Sequence, residues 1–281
     1  MIVVAGGKGQ LGSALAALLE RKSETFKASG RDELDVTNLV AVRGVLESLR
    51  PHLVINCAAY NEVDKAEEEP HRAIAVNALG VRNLALVCGG MGIPLMHVST
   101  DYVFAGDSPV PYTIAHQPCP LGAYGRSKLL GEQLLTALCP RYYLVRVSWV
   151  FGKGERNFLH KVFQWAKSRD VLEIVDDQVS APSYAPHLAD ALLQLADTGA
   201  YGLYHLRNQG ECSRYQWAAY ALKKAGWPGQ VTPVPSSKFP TPAKRPAWSV
   251  LDVYPLDEML NYSMPTWQEA TDQWLKEEGC L

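Results

Sequence analysis

The first twenty residues constrain the fold more than any other part of the chain. An apolar run at 2–5 leads directly into the glycine-rich segment GGKGQLG at 6–12, and helical periodicity follows from 13 to 21. A short apolar run of this kind predicts a parallel strand that is buried on both faces. Strand, glycine turn and helix in this order are the context of a phosphate-binding turn, where backbone N–H groups approach a pyrophosphate at the positive helix end.

The glycine spacing distinguishes two interpretations of this turn. Gly6, Gly9 and Gly12 follow a GxxGxxG pattern rather than GxGxxG. A plain strand-to-helix turn needs only one of these glycines, so the pattern favours dinucleotide binding. Arg31 follows the next predicted strand, at 25–29, and its guanidinium suits either the 2′-phosphate of NADPH or plain solvation. Both NADPH and NADH therefore remain candidate cofactors.

The remaining chain alternates strands and helices, which predicts an α/β fold with a doubly wound parallel sheet of the Rossmann type. Predicted strands lie at 53–60, 95–99, 142–150, 172–175 and 201–206. Predicted helices lie at 37–50 with Thr37 as cap, 64–90 with a break at Pro70, 124–138, 157–168, 186–197, 213–225 with Ser213 as cap, and 267–278. The proline-rich stretches 105–120 and 228–246 are predicted loops. We expect a dinucleotide-binding Rossmann domain at 1–150 and a smaller region at 151–281, mainly substrate-binding and partly interleaved with the sheet.

The composition argues against several classes of function. A formal net charge of -2 provides no global field that would hold nucleic acid. The six cysteines include no CxxC pair and no metal-ligand spacing occurs, so we expect reduced cytosolic thiols and no bound metal. No basic segment with an apolar core opens the chain, and no apolar run reaches about 18 residues. These features predict a cytoplasmic protein with no membrane span.

The segment YGRSK at 124–128 is the candidate catalytic motif. At the start of a predicted helix, Tyr124 and Lys128 lie four positions apart and therefore share one face. A neighbouring ammonium favours the phenolate, so such a pair can act as a tuned general acid. The same spacing also arises by chance on surface helices. Thr100 and Asp101 stand at the carboxyl end of another predicted strand, at the sheet edge where open α/β sheets bind ligands.

Eight stretches in register resemble the extended short-chain dehydrogenase/reductases and, within them, the dTDP-4-dehydrorhamnose reductase family. They are GGKGQLG (6–12), ELDVT (33–37), NCAAYNEVDKAEEEP (56–70), VSTDYVFAG (98–106), YGRSK (124–128), RVSWVFG (146–152), DDQVSAPS (176–183) and KRPAWSVLD (244–252). The resemblance covers nearly the whole chain. It departs from the family after KRP, where Ala247-Trp248 replaces the usual Asn-Ser.

The resemblance implies a reductase of nucleotide-linked 4-keto-6-deoxy sugars in dTDP-rhamnose and polysaccharide biosynthesis. A homodimer is a possible assembly for such an enzyme. Its catalytic group would be Thr100, Tyr124 and Lys128, with the phenol as proton donor, the threonine orienting the carbonyl oxygen and the lysine lowering the phenol pKa. The same resemblance implies cofactor contacts from Gly6, Gly9, Gln10, Leu11, Asp35, Val36, Ala58, Ala59 and Tyr60, besides Tyr124 and Lys128. It implies substrate contacts from Asp101, Val103, Trp149, Gln178, Ala181, Pro182 and Arg245. For Trp149, a core aromatic at a strand end is an equal alternative.

Three other functions are alternatives to this one. A 4-reductase of another nucleotide sugar fits the same motifs. A dehydratase is disfavoured, because related dehydratases carry an Asp-Glu pair after the threonine, and Tyr102 follows Asp101 here. A non-catalytic regulatory subunit of the methionine adenosyltransferase type also resembles this family, although the intact Thr100, Tyr124 and Lys128 favour an enzyme.

Overall fold

The computed structural model describes residues 1–154, 157–261 and 263–280. Its strands are β1 (Ile2–Ala5), β2 (Phe26–Ser29), β3 (Leu53–Asn56), β4 (Leu95–Thr100), β5 (Tyr142–Val147), β6 (Val150–Phe151), β7 (Val171–Val175), β8 (Val179–Ser180), β9 (Ser183–Tyr184), β10 (Gly202–Leu206), β11 (Cys212–Ser213) and β12 (Gln230–Val234). Its α-helices are α1 (Gln10–Arg21), α2 (Leu39–Leu49), α3 (Lys65–Glu68), α4 (Pro70–Ile74), α5 (Val81–Met91), α6 (Ala123–Leu138), α7 (Phe158–Ala166), α8 (Ala185–Thr198), α9 (Arg214–Lys224), α10 (Leu256–Leu260) and α11 (Trp267–Glu277). A π-helix (Ala75–Gly80) joins α4 to α5, and 3-10 turns lie at Asp101–Val103 and Ser236–Lys238.

The central sheet has six parallel strands in the order β10-β5-β4-β3-β1-β2. All residues of β1 and β3 are buried, as the short apolar runs predicted. One face of the sheet packs against α1 and α8, and the other packs against α2, α5 and α6. The predicted doubly wound α/β fold is therefore confirmed. The strand order reverses between β1 and β3, so the carboxyl ends of these two strands and of β4 lie side by side at the edge where such sheets bind ligands.

The chain after residue 150 adds to this sheet and also builds beside it. Its strand β10 joins the central sheet next to β5. Three small two-stranded ladders, β6 with β9, β7 with β12 and β8 with β11, lie outside that sheet. Their core contains the buried rings of Trp217, Trp267 and Trp274. The assignment of cofactor binding to residues 1–150 and of substrate binding mainly to residues 151–281 stays a prediction.

Several predicted boundaries were wrong for local reasons. Asn38 caps α2, since its Oδ1 accepts from the N–H groups of Val40 and Ala41, whereas Thr37 bonds to Asp35. The strand predicted at 53–60 ends at Asn56, whose side chain turns back to accept from the Ala58 N–H. A side chain that bonds its own backbone two residues on favours a turn over a ladder.

Two further stretches differ from expectation. The strand predicted at 142–150 is divided, because Trp149 adopts a left-handed backbone with φ 40° between β5 and β6. The predicted loop at 228–246 contains β12, which pairs with β7 in parallel despite Pro233. Proline lacks an N–H but is tolerated on an edge strand, and β12 has only one partner. Helix α10 was not predicted.

The helical segment Pro70–Met91 is long and apolar enough to cross a membrane by length and composition, with a mean hydropathy of 1.4 over its most apolar window. Half of that window is buried inside the protein. Val81, Leu84 and Ala85 on this segment pack in the sheet core. A core helix of an α/β domain has the same composition, so the segment carries no evidence for a membrane span.

Candidate active site

The glycine turn after β1 forms an open anion cradle. Gly6 has φ +75°, and a Cβ there would lie 2.5 Å from the Ala58 backbone nitrogen, so this position needs glycine on both counts. Gly9 is the N-cap of α1 without a side-chain cap, and the first turn contains no acidic residue. Gly9 has no side chain that could cap the first turn, which begins at Gln10 and Leu11. This arrangement fits the pyrophosphate of a dinucleotide.

The end of β2 offers groups that suit the adenosine half of such a cofactor. The Ser29 hydroxyl is fully buried and has no hydrogen-bond partner among the residues described. Lys8 lies over Gly30 and forms a 3.8 Å ion pair with Asp32. Arg31 forms a 3.6 Å ion pair with Asp35, and its side chain is 80% exposed. Lys8, which the motif analysis did not single out, adds a second cation beside Arg31.

Asp35 and Val36 lie at the start of the segment that follows. Asp35 Oδ1 accepts from both the N–H and the hydroxyl of Thr37, and this hydroxyl bond is the main cause that lowers the pKa of Asp35. Val36 is buried, and its carbonyl accepts from Asn83 Nδ2 at 3.0 Å. These bonds fix the backbone beside the glycine turn.

The segment after β3 is held by a residue that the sequence analysis missed. Ala58, Ala59 and Tyr60 are half-buried at the carboxyl edge. The buried Asn77 of the π-helix accepts from the Tyr60 N–H at 2.8 Å and donates to the Tyr60 carbonyl at 3.1 Å and to Ser127 Oγ at 3.0 Å. Asn77 thereby ties this segment to α6. Its only sequence signal was a polar residue within an apolar helical stretch, and single π-turns are frequent at functional sites.

Helix α6 brings Tyr124 to Thr100 because it packs closely on the turn after β4. A Cβ at Gly125 would lie 2.3 Å from the Tyr102 carbonyl oxygen, so only glycine permits this approach. Glu67 Oε1 accepts from the Ala123 N–H at 2.6 Å and caps the helix in place of the side chain that Gly122 lacks. The predicted catalytic residues Thr100, Tyr124 and Lys128 are thus brought to one edge of the sheet, all buried.

Tyr124 and Lys128 have separate hydrogen-bond partners. The Tyr124 hydroxyl donates to Asn61 Oδ1 at 3.3 Å, and the Lys128 amine donates to the Val98 carbonyl at 2.7 Å. Burial raises the pKa of Tyr124, against a smaller lowering by the Thr100 hydroxyl. The predicted lowering of the phenol pKa by Lys128 is therefore not seen in the free protein. Burial also lowers the pKa of Lys128 to about 8.

Asp101 is a buried carboxyl group directly after Thr100 at the end of β4. It accepts from the hydroxyls of Ser249 at 2.6 Å, Thr100 at 3.2 Å and Ser180 at 3.3 Å. Burial raises the pKa of Asp101 to about 6, with the Ser249 and Thr100 bonds opposing that rise. Residues from both halves of the chain therefore meet at this carboxylate.

Two arginines converge on Tyr102 above this carboxylate. The Arg214 guanidinium lies 3.5 Å from the ring centroid of Trp149. Burial raises the pKa of Tyr102, against a smaller lowering by the charge of Arg214. Arg245 forms a 2.7 Å ion pair with Asp64, and its charge also lowers the pKa of Tyr102 against burial. No carboxylate within the described ranges lies at ion-pair distance from Arg214. Arg214 was missed because only its position after the predicted cap Ser213 was visible in the sequence.

The other predicted substrate residues differ in accessibility. Trp149 is half-buried, and its left-handed backbone is the kind of local strain found at ligand sites. Gln178 is half-buried, Ala181 and Pro182 are buried, and the Ala181 carbonyl accepts from Ser148 Oγ at 2.7 Å. Val103 is fully buried in a cluster with Phe104 and Tyr112, away from solvent. Their contacts with a sugar stay predictions.

Among the described residues, no group of three or more His, Cys, Asp or Glu side chains lies close enough together to hold a metal ion. All six cysteines are free thiols in the structure.

Comparison with known proteins identifies the family. The family model described as RmlD substrate binding domain matches residues 1–280. The dTDP-4-dehydrorhamnose reductase of Mycolicibacterium smegmatis is 39% identical, with 96% of this chain and 83% of that protein covered. The dTDP-4-keto-6-deoxy-D-glucose reductase of Streptomyces niveus is 38% identical, with 89% and 87% covered.

A solved structure agrees with these relatives. The crystal structure of dTDP-4-dehydrorhamnose reductase from Bacillus anthracis in complex with NADP has a TM-score of 0.94 and 36% identity over 98% of both chains. The resemblance carried by the eight sequence stretches is confirmed. The chain therefore belongs to the RmlD substrate binding domain family and is an NAD(P)H-dependent oxidoreductase.

Proposed function

We propose that this protein reduces the 4-keto group of a nucleotide-linked 6-deoxy sugar, and that its substrate is dTDP-4-dehydro-L-rhamnose, which becomes dTDP-L-rhamnose. The observation that carries the proposal is the meeting of Thr100, Tyr124 and Lys128 with the glycine turn at one sheet edge. The names of the relatives supply the sugar class.

The cofactor fits the residues at this edge. Gly6, Gly9, Gln10 and Leu11 would hold the pyrophosphate, and Ala58, Ala59 and Tyr60 would line the nicotinamide. Arg31 after β2 and Lys8 of the glycine turn favour NADPH over NADH, because a guanidinium and an ammonium group together suit a 2′-phosphate. NADPH bound there would supply a hydride to the carbonyl carbon of the ketosugar.

Side chains of the protein donate the proton and orient the carbonyl oxygen that receives it. Tyr124 donates its phenolic proton to the carbonyl oxygen, which gains negative charge as the ketone is reduced. The raised pKa of Tyr124 keeps this phenol protonated at neutral pH, the form that a reduction requires. The Thr100 hydroxyl orients the same oxygen, and the Lys128 amine would hold the cofactor ribose.

The two arginines at Tyr102 suit the diphosphate of the sugar nucleotide. Guanidinium groups bind phosphate oxygens through paired N–H donors. Arg245 already shares its charge with Asp64, whereas Arg214 stacks on Trp149 and has no carboxylate in ion-pair contact within the described part of the chain. A cation in this environment is stabilised when an anionic ligand arrives.

Replacement of Arg214 tests this assignment. For Arg214→Gln we expect KM for the nucleotide sugar to rise by about 10- to 100-fold, the loss of one charge-assisted hydrogen bond, with KM for NADPH unchanged. Steady-state kinetics with each substrate varied measures this. Arg43→Gln removes the same charge from an exposed helix surface, 59% exposed, and should change neither constant. An unchanged KM for the sugar in Arg214→Gln would remove Arg214 from the substrate site.

The function itself is tested by a substrate screen. Purified protein should oxidise NADPH faster than NADH in the presence of dTDP-4-dehydro-L-rhamnose and form the corresponding alcohol. The relative from Streptomyces niveus is named for dTDP-4-keto-6-deoxy-D-glucose, so a second candidate function is reduction of that sugar or another nucleotide 4-ketosugar. Turnover of such a sugar alone would select the second function. No turnover of any ketosugar, together with a stable hetero-complex, would favour the regulatory-subunit alternative.

A further inference from the structure

A buried chain of polar side chains reaches Lys128 from beneath the sheet edge. Asn56 and His97 are opposite each other in neighbouring parallel strands, and they are 1% and 0% exposed. Asn56 Nδ2 lies 3.0 Å from His97 Nδ1, and His97 Nε2 lies 3.4 Å from Lys128 Nζ. The imidazole therefore connects the amide of Asn56 to the amine of Lys128.

The donors and acceptors of this chain can be assigned from one backbone contact. Asn56 Oδ1 lies 3.0 Å from the Ala58 backbone nitrogen, whose N–H can only donate. The amide must therefore turn its NH2 group toward His97, and this group also only donates. His97 Nδ1 must then accept, which places the proton of a neutral imidazole on Nε2. Burial and the nearby charge of Lys128 hold the pKa of His97 well below its ordinary value, so the ring is neutral.

The resulting Nε2–H faces the amine of Lys128. An ammonium group has three donors and no acceptor, so it opposes this N–H, whereas a neutral amine accepts from it. The amine keeps its bond to the Val98 carbonyl in either form. His97 therefore stabilises the neutral amine relative to the ammonium.

Other groups around the amine shift the pKa of Lys128 in opposite directions. Burial is the main cause that lowers the pKa of Lys128, while Glu132 on the same helix and Cys57 after β3 raise it. Glu132 is already paired with Arg146 of β5 at 2.7 Å. Tyr124 lies one turn earlier on α6 and bonds to Asn61. Among these neighbours, His97 is the one that presents an N–H donor to the amine.

We propose that His97, with its tautomer fixed by Asn56, is a positioning residue that makes Lys128 a stronger acid. The proposal rests on the proposed function. After Tyr124 gives its proton to the carbonyl oxygen, an N–H bond of the Lys128 ammonium breaks and the O–H bond of the phenol is restored. The neutral amine left behind accepts from His97 Nε2–H until water returns a proton to it.

The tautomer can be observed directly by nuclear magnetic resonance of the full chain with isotopically labelled histidine. We expect the His97 proton on Nε2. His205 provides an internal reference of the opposite tautomer, because its Nδ1 faces the carbonyls of Tyr112 at 2.9 Å and Asp252 at 3.1 Å and must donate. A proton on Nδ1 of His97 would overturn the proposal, whatever the enzyme turns over.

A second measurement separates a proton effect from a structural one. In Asn56→Leu, whose side chain has the same branched shape but no hydrogen-bonding group, the ring is free to carry its proton on Nδ1 and to accept from the ammonium at Nε2. We expect the pKa of Lys128, followed by the resonance of its labelled Cε, to rise by about one unit, and the alkaline limb of kcat/KM to move up with it. Added apolar burial alone would lower this pKa. An unchanged or lowered value would refute the proposal.

The two proposals fail separately. Absence of reductase activity with every ketosugar, alongside the expected tautomer and pKa rise, would reject the proposed function and leave the effect of His97 on Lys128 standing. Normal reductase activity with a proton on Nδ1 would do the reverse.

Discussion

Tyr124→Phe should lower kcat by about 100- to 10,000-fold, the range expected when a positioned general acid is removed. The phenol is the group placed to protonate the carbonyl oxygen, and its hydrogen bond to Asn61 at 3.3 Å is lost in the variant. The ring should remain in place, because it packs edge-on against Tyr102 with centroids 5.8 Å apart. The dissociation constant for NADPH, measured by fluorescence, should therefore stay close to that of the wild type.

A matched control removes a phenolic hydroxyl elsewhere. Tyr220 donates to Asp272 at 2.9 Å between α9 and α11 and is not one of the residues assigned to the site. Tyr220→Phe should keep wild-type kcat. If Tyr124→Phe retained kcat within a few-fold of wild type, the phenol would not be the proton donor, and the reductase would need another acid.

Each part of the site was predictable because the residues that form that part lie close together in sequence. The glycine turn follows an apolar strand, and Thr100 ends another one, so both had to reach the carboxyl edge of a parallel sheet. Tyr124 and Lys128 are one helical turn apart, which fixed their common face. Such features depend on periodicity and chain direction, both of which the sequence carries.

The residues that hold these groups in place were not predictable, because their partners are distant in sequence. Glu67 caps the catalytic helix from 56 positions away, and Asn77 reaches Tyr60 across 17. In the sequence, His97 is one residue of a predicted buried strand. Its role depends on the strand register that places Asn56 beside it. The raised pKa of Tyr124 was not predictable from its spacing to Lys128 for the same reason. Burial, a property of the whole fold, outweighs the local spacing.

The largest expected effect on stability comes from the ion pair below the catalytic helix. Arg146 of β5 and Glu132 of α6 are each 4% exposed, and the guanidinium forms several bonds to the carboxylate, the shortest 2.7 Å. Ser99 also donates to Glu132, at 2.5 Å. Arg146→Met should lower the free energy of unfolding by about 3–5 kcal/mol, because it leaves a buried carboxylate without its partner. Urea denaturation of the protein without cofactor measures this loss.

Two further variants show whether the loss comes from the unpaired charge. Glu132→Met/Arg146→Met removes both charges and should recover much of the lost stability, since apolar replacements of buried pairs are often near neutral. Arg43→Met breaks an exposed pair with Glu47 and should cost less than about 1 kcal/mol. A double variant as unstable as Arg146→Met would instead assign the loss to packing of the arginine, whose guanidinium lies 5.1 Å from the Phe104 ring. Since Glu132 also raises the pKa of Lys128, Arg146→Met should shift the alkaline limb of kcat/KM upward, in the direction expected for Asn56→Leu.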